Sequence, residues 1–201
     1  MPRSSHFNNP CSIVRLDSGI GFHMRFLLCV IEILILGVIT SNAHADWISK
    51  SGERLPDTEY RKSAGAFGAH LILVPDAQRL LRDWDTPSET VEITAVNSVP
   101  IGSQANAFVV FKDCTPTKSG QCNVTMQFRV YQPNGKIYAS TPLMEVWQDK
   151  PAPRMLELSV QYLKIILEPK DLPGKYLVSA KVRDNVSGVS LDLSSAFTGT
   201  K

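Results

Sequence analysis

Histidine is scarce in this chain of 201 residues: there are four, and His6, His23 and His44 all precede residue 46. Beyond that point His70 alone would have to serve any chemistry that needs an imidazole. A Ser-His-Asp triad, a Cys-His nucleophile or a two-histidine metal site would each have to be assembled around it. It stands between Ala69 and Leu71 in an apolar run, the setting of a packed strand histidine, with no partner at a telling spacing. Cysteine is equally thin, since Cys11 and Cys29 lie in the leading segment and leave Cys114 and Cys122 as the only later pair. Zinc would need two further ligands, so neither metal nor cofactor is expected. Lysine and arginine form no run and alternate with acids, which argues against a stripe that tracks phosphates and against a nucleic-acid partner. A phosphate loop is missing too: Gly65-Ala66-Phe67-Gly68 has neither the spacing nor the Lys-Ser/Thr ending. A spanning helix takes about 20 apolar residues, and the longest run here covers only residues 26–40.

That run, FLLCVIEILILGVIT, follows Arg25 and ends ahead of Ala43-His44-Ala45. A cation, a short apolar stretch and a small-x-small tripeptide before Asp46 read as a secretory signal over residues 24–45, cleaved after Ala45. Glu32 interrupts the run and keeps an uncleaved anchor as the alternative. Leu27-Leu28-Cys29 looks like the start of a lipid-attachment box, but Cys29 precedes most of the apolar run instead of following it. Residues 1–23 are polar and aperiodic and Met24 is a conventional start, so they read as a start-site artefact or a polar leader. The expectation is a periplasmic or secreted protein of 156 residues with no stable membrane span after cleavage. One domain of that size buries roughly two-thirds of its unfolded surface. Its net charge is +1, because Arg3, Arg15 and Arg25 leave with Asp17 and Glu32.

An oxidising compartment favours a bond between Cys114 and Cys122. The segment between them, CTPTKSGQC, is turn-rich and suggests a hairpin-like clip, worth about 2–3 kcal/mol by loop-closure entropy. Redox-active pairs use the tighter C-x-x-C spacing, so the bond reads as structural.

Residues 46–66 are polar and irregular, as in a flexible arm, and the domain proper is expected over residues 67–201. Residues 67–74 (FGAHLILV) read as a strand. Ala77, Leu80, Leu81 and Trp84 then recur at helical spacing, with Pro75 suited to a first helical position and Asp76 to the positive end of the dipole. From Thr90 the period becomes two, with Val91, Ile93 and Ala95 on one side, before a turn region over residues 97–102. Residues 105–112 (ANAFVVFK) have the density of a central strand. Val124, Met126, Phe128 and Val130 point inward while Thr125, Gln127 and Arg129 point outward. Asn134-Gly135 supplies positive φ angles for a hairpin into residues 136–139. Residues 148–153 (QDKPAP) read as a loop. Leu156, Leu158, Val160 and Tyr162 alternate in a run that breaks into two strands near residues 161–164. A last hairpin turns at residues 185–188. About seven strands on short turns predict a mainly β, immunoglobulin-like antiparallel sandwich with one short N-terminal helix. Asp171, Gly174 and Tyr176, in DLPGKYLV, match the corner of such sandwiches, where a tyrosine hydroxyl bonds back to upstream backbone. Val178 stands where antibody domains carry a cysteine.

Several segments resemble a family of uncharacterised exported bacterial proteins: the helix with Asp85-Thr86-Pro87, VVFKDC, QCNV, QPNGKIYAS and MEVWQDKPAP. The resemblance spans residues 67–197. It implies a periplasmic sandwich and brings no activity or catalytic residue.

Paired carboxylates are the one acid-base chemistry left open, at Asp83 and Asp85 around Trp84, or at Glu145. Asn123-Val124-Thr125 and Asn185-Val186-Ser187 match glycosylation acceptors by pattern alone. Trp147 stands beside the proline-limited segment with Asp149 and Lys150, a setting for an aromatic binding anchor. The function expected is therefore a non-enzymatic binding or assembly module for an unknown protein or glycan of the envelope, acting through a loop or sheet edge. A carboxylate hydrolase or a glycan-binding domain is the alternative.

Overall fold

Two strands are apolar along nearly their whole length, β4 (Phe67–Val74) and β6 (Gln104–Lys112), and both are covered on both faces. The computed structural model describes residues 47–49, 51–86, 91, 93–153 and 155–201. The expected signal, its cleavage residues Ala43, Ala45 and Asp46, and residues 1–23 lie outside these. Strands β4 and β6 pair antiparallel at the centre of a first sheet, with β3 (Arg61–Ala64) on the free side of β4. Two short strands, β10 (Glu157–Leu158) and β11 (Leu163–Ile166), follow each other along the far edge of β6.

A second sheet runs in the order β5 (Ser98–Pro100), β13 (Ser190–Thr200), β12 (Gly174–Asp184), β7 (Gln121–Tyr131). Its far edge is again a broken strand, β8 (Ile137–Ser140) then β9 (Met144–Pro151). The inner faces of the two sheets meet in one core. Leu71, Val109 and Phe111 from the first face Phe128, Tyr176, Val178 and Phe197 from the second, all essentially buried. Each such side chain contributes about 1.5–3 kcal/mol through its removal from water. This is a β-sandwich with immunoglobulin-like connections.

The outer face of the first sheet carries a second, smaller core. Ile72, Val74, Phe108 and Val110 lie under Ala77 and Leu80 of α1 (Ala77–Trp84), and Tyr162 stacks on Phe108 at 4.5 Å. This explains why β4 and β6 read as continuous apolar runs rather than alternating ones. Asp76 caps the helix, its Oδ1 accepting from the Arg79 amide at 3.0 Å. Pro75 therefore precedes the cap and is not the first helical residue.

Beyond the helix, the described residues of the alternating segment form no strand until β5. Val96 donates to Leu73 O in the first sheet and Asn97 O accepts from Thr198 in the second, both at 2.9 Å. The chain thus changes sheets within two residues, and β5, inside the expected turn region, runs parallel to β13. Alternation here reflects a segment suspended between layers, with its backbone bonds divided between them.

Other expectations change where an edge is involved. The 46–66 arm is docked: Trp47–Ile48 (β1) pairs with Arg54–Leu55 (β2), and β3 pairs with β4. Tyr60 O accepts from Leu71 and Glu59 O from Ser194, each at 2.7 Å, so this short loop bonds to both sheets. Polar edge strands bury too little to show a period, which is why these residues read as irregular. The QDKPAP loop is likewise mostly strand, with β9 reaching Pro151 and Asp149 as the extra residue of a bulge at φ 51°. At the β7–β8 hairpin only Gly135 takes a positive φ, 80°. Pro133 fixes a negative φ and sets a type I turn that a left-handed glycine completes. In the broken run, Leu158 is buried while Leu156 and Val160 are exposed. Ser159 turns inward there, its Oγ accepting from the Val109 amide at 3.1 Å.

Candidate functional site

Tyr176 is fully buried and its Oη donates to Leu172 O at 2.8 Å, the bond that defines a sandwich corner. Its ring stacks on Phe197 with centroids 5.2 Å apart. Gly174 sits at φ 130°, where a Cβ would also meet the Pro133 ring at 3.1 Å, so the corner requires glycine. Asp171 closes the other side, its Oδ2 accepting from Tyr138 Oη (2.6 Å) and the Glu168 amide (2.7 Å). Burial first, then this bond to Asp171, pushes the Tyr138 phenol well above its ordinary range. These groups fix one end of the sandwich and hold no reactive atom.

Cys114 and Cys122 are bonded, with Cα atoms 6.0 Å apart, and both lie in the main core. The expected hairpin-like clip is instead a bridge between sheets, because β6 and β7 belong to opposite layers. Beside it lies a group that sequence reading missed. Asp184 is fully buried, and its carboxylate accepts from the Thr115 amide (2.9 Å), Ser187 Oγ (2.7 Å) and the Val186 amide (3.0 Å). Burial alone would raise its pKa, but the bonds from Ser187 and Thr115 outweigh it and hold the carboxyl below its ordinary value. The signal was available in Asp184-Asn185-Val186-Ser187-Gly188, where an Asp opens a turn and caps it.

Trp147 lies half-buried at the edge between the sheets, edge-on to Phe111 with ring centroids 5.8 Å apart. Its Nε1 donates to Pro151 O at 2.9 Å and the Lys150 ammonium sits 4.8 Å over its ring. Asp149 and Lys150 are exposed beside it. One face of the indole closes the core and the other is covered by its own neighbour.

His70 lies on the outer side of β4 between the rings of Trp47 (5.9 Å) and Tyr60 (5.4 Å). Burial, and then the charge of Arg61, lower its pKa to about 4, so it is neutral near pH 7. Asp83 is held 3.5 Å from Arg79 on the helix surface and Asp85 is the C-cap residue. Glu145 is on β9 opposite Thr125, beside the Gln148 side-chain amide, whose nitrogen donates to the carboxylate once the amide is turned over. The structure does not bring the three carboxylates together with an aromatic platform, since Trp84 packs into the smaller core.

An arrangement of exposed charged side chains lies elsewhere, on the outer face of β7, β12 and β13, where the Gln127 amide nitrogen donates to Thr141 O at 3.0 Å and Ser179 Oγ to Arg129 O at 3.4 Å. Alternate residues of three paired strands form rungs there: Thr125–Arg183–Ser190, Gln127–Lys181–Asp192 and Arg129–Ser179–Ser194. The middle of the face dips into a shallow groove of about 220 Å³ lined by Gln127, Arg129, Ser179, Lys181 and Asp192, with Ala180 and Leu193. Arg129, Lys181 and Arg183 are exposed, and among the described residues none of them forms an ion pair. At one end Asn185 Nδ2 donates to Asn123 Oδ1 (2.6 Å) and lies 3.2 Å from Thr125 Oγ1. The outward alternation of Thr125, Gln127 and Arg129 was legible in the sequence. Their juxtaposition with Lys181 and Arg183 depends on strand pairing and was not.

No family model matches the chain, and no curated protein matches it. Among solved structures it is similar to a family 123 glycoside hydrolase from Clostridium perfringens, at 16% identity over 66% of this chain and 27% of that one, with a TM-score of 0.37. An alkylpurine DNA glycosylase from Pseudomonas fluorescens shares 13% identity over 66% of this chain and 29% of its own, at a TM-score of 0.35. The CARDB domain of a Pyrococcus furiosus protein shares 13% identity over 72% of this chain and 98% of its own, again at 0.35. The chain thus spans less than a third of the first two proteins. Likenesses this weak carry nothing about activity, ligand or partner.

Proposed function

We propose that the protein is an exported, non-enzymatic binding or assembly module of the cell envelope, akin to the exported bacterial proteins its motifs resemble. Its ligand lies across the outer face of β7, β12 and β13. The observation that carries this reading is the unequal covering of the two sheets. Helix α1, Tyr162, Trp47 and Tyr60 lie over the outer face of the first sheet, whereas Arg129, Lys181, Arg183 and Asp192 on the second are exposed. A non-catalytic role is supported by the engagement of three of the candidate groups: His70 between two rings, Asp83 with Arg79, and Glu145 beside the Gln148 amide. The packing of Trp147 on Phe111 favours the open face over the Trp147 end as the ligand surface.

A photo-reactive diazirine residue tests this in the envelope of the producing cell, placed at Ser179 in the groove or at exposed Arg82 on the helix. The expected result is a discrete adduct from position 179 and none from position 82. Adducts from position 82 alone would overturn the assignment of the face.

A further inference from the structure

Resting on the open face as the ligand surface, we infer that the ligand is an acidic polysaccharide, a chain of sugars carrying carboxylates at intervals. Charge is the first reason. The central rungs present Arg129, Lys181 and Arg183 against Asp192, with Lys175 further along β12 on the same side. Glu145 lies on β9, at the margin of the sheet beyond β7, and outside the groove lining. Arg129 and Lys181 are diagonal neighbours on paired strands, about 7–8 Å apart, and Arg183 follows Lys181 by two residues, so three cations face one carboxylate and leave an excess of positive charge that matches spaced anions. Arg129 offers a planar fork for a carboxylate and Lys181 a point charge in the lining of the groove.

Asp192 distinguishes the class of anion. It stands in the rung of Lys181, and among the described residues it forms no ion pair there. A carboxylate in the middle of a cationic groove repels a dense phosphodiester backbone, which in DNA brings no hydroxyl to donate to it. Sugar hydroxyls between carboxylates can donate to Asp192 while the carboxylates meet Arg129 and Lys181. The Gln127 amide oxygen and the Ser194 hydroxyl extend the polar character across the face, while the Gln127 nitrogen and the Ser179 hydroxyl donate to Thr141 O and Arg129 O. A protein partner would be anchored by a buried aromatic or aliphatic centre. Here the large apolar groups of the outer face, Tyr131 and Leu177 with Ala196 beside them, sit together at one end, and the groove itself holds only Ala180 and Leu193 among its polar residues.

The test uses the secreted chain and polygalacturonate as probe, with retardation in an affinity gel as readout. Polygalacturonate should retard the protein, its fully methyl-esterified neutral form should not, and raising salt from about 20 to about 300 mM should release it. Arg129→Glu with Lys181→Glu should weaken retardation at least about tenfold at an unchanged thermal midpoint, and Lys150→Glu beside Trp147 should leave it intact. The inference is overturned if the neutral polymer retards equally, or if the double variant binds as the parent does. It is also overturned if single-stranded DNA or polyglutamate binds more tightly, which would point to a nucleic-acid or acidic-peptide ligand, or if nothing binds. An adduct at position 179 without polygalacturonate binding would reject the ligand class and leave the face assignment standing.

Discussion

At the residue scale, the fold depends on polar atoms placed where water is excluded. Tyr176 buries its whole ring and satisfies its hydroxyl on Leu172 O. Tyr176→Phe keeps the ring and leaves that carbonyl without its donor, so the denaturation midpoint should fall by the equivalent of about 1–3 kcal/mol. An unchanged midpoint would mean the bond is not formed. His70 gives a pH signature. Its folded pKa of about 4 lies below the ordinary 6.5, so on acidification the unfolded chain takes the proton first. The contribution of neutral His70 is therefore complete above pH 6.5, is lost progressively between about 6.5 and 4, and changes no further below that. Asp184, whose carboxyl is held low, loses its contribution only in a more acidic window. Urea midpoints at pH 7, 5.5 and 4 should fall more steeply for the parent than for His70→Gln. Parallel slopes would remove burial of His70 as the cause.

At the scale of elements, legibility followed burial. Central strands with a continuous or alternating apolar pattern, β4, β6, β7 and β12, lie close to where periodicity predicts them, and so does helix α1. Edge strands did not, because a strand buried on one side and partnered on one flank shows little pattern. Thus Arg61–Ala64 read as an arm, residues 148–151 as a loop, and Ser98–Pro100 as a turn. The corner was legible because Asp171, Gly174 and Tyr176 are close in sequence. The groove was not, because Arg129, Lys181 and Asp192 reach it from three strands. The disulfide was legible as a bond but not as a link between layers. Replacing Cys114 and Cys122 together by Ser should cost about 2–3 kcal/mol and leave a folded sandwich, since the core around β6 and β7 remains. Chemical unfolding of the double variant would show this, and a chain with no cooperative transition would contradict it.

At the scale of the whole molecule, the two sheets differ in what covers them. The first is enclosed between the main core and a layer made from α1, Tyr162 and the docked N-terminal residues. The second has the main core on one side and a polar, cation-bearing face on the other. The helix sits where the chain passes from β4 to β5 and covers the first sheet, and among the described residues no helix or strand packs on the outer face of the second. Lysine acetylation of the protein, recovered from the producing cells with its ligand attached and again after stripping, tests that asymmetry most directly. The account predicts that Lys175 and Lys181 are protected only in the loaded protein, while Lys118, Lys136 and Lys150 react equally in both. Protection of Lys150 and Lys118 at the Trp147 end, with Lys175 and Lys181 fully reactive, would contradict it.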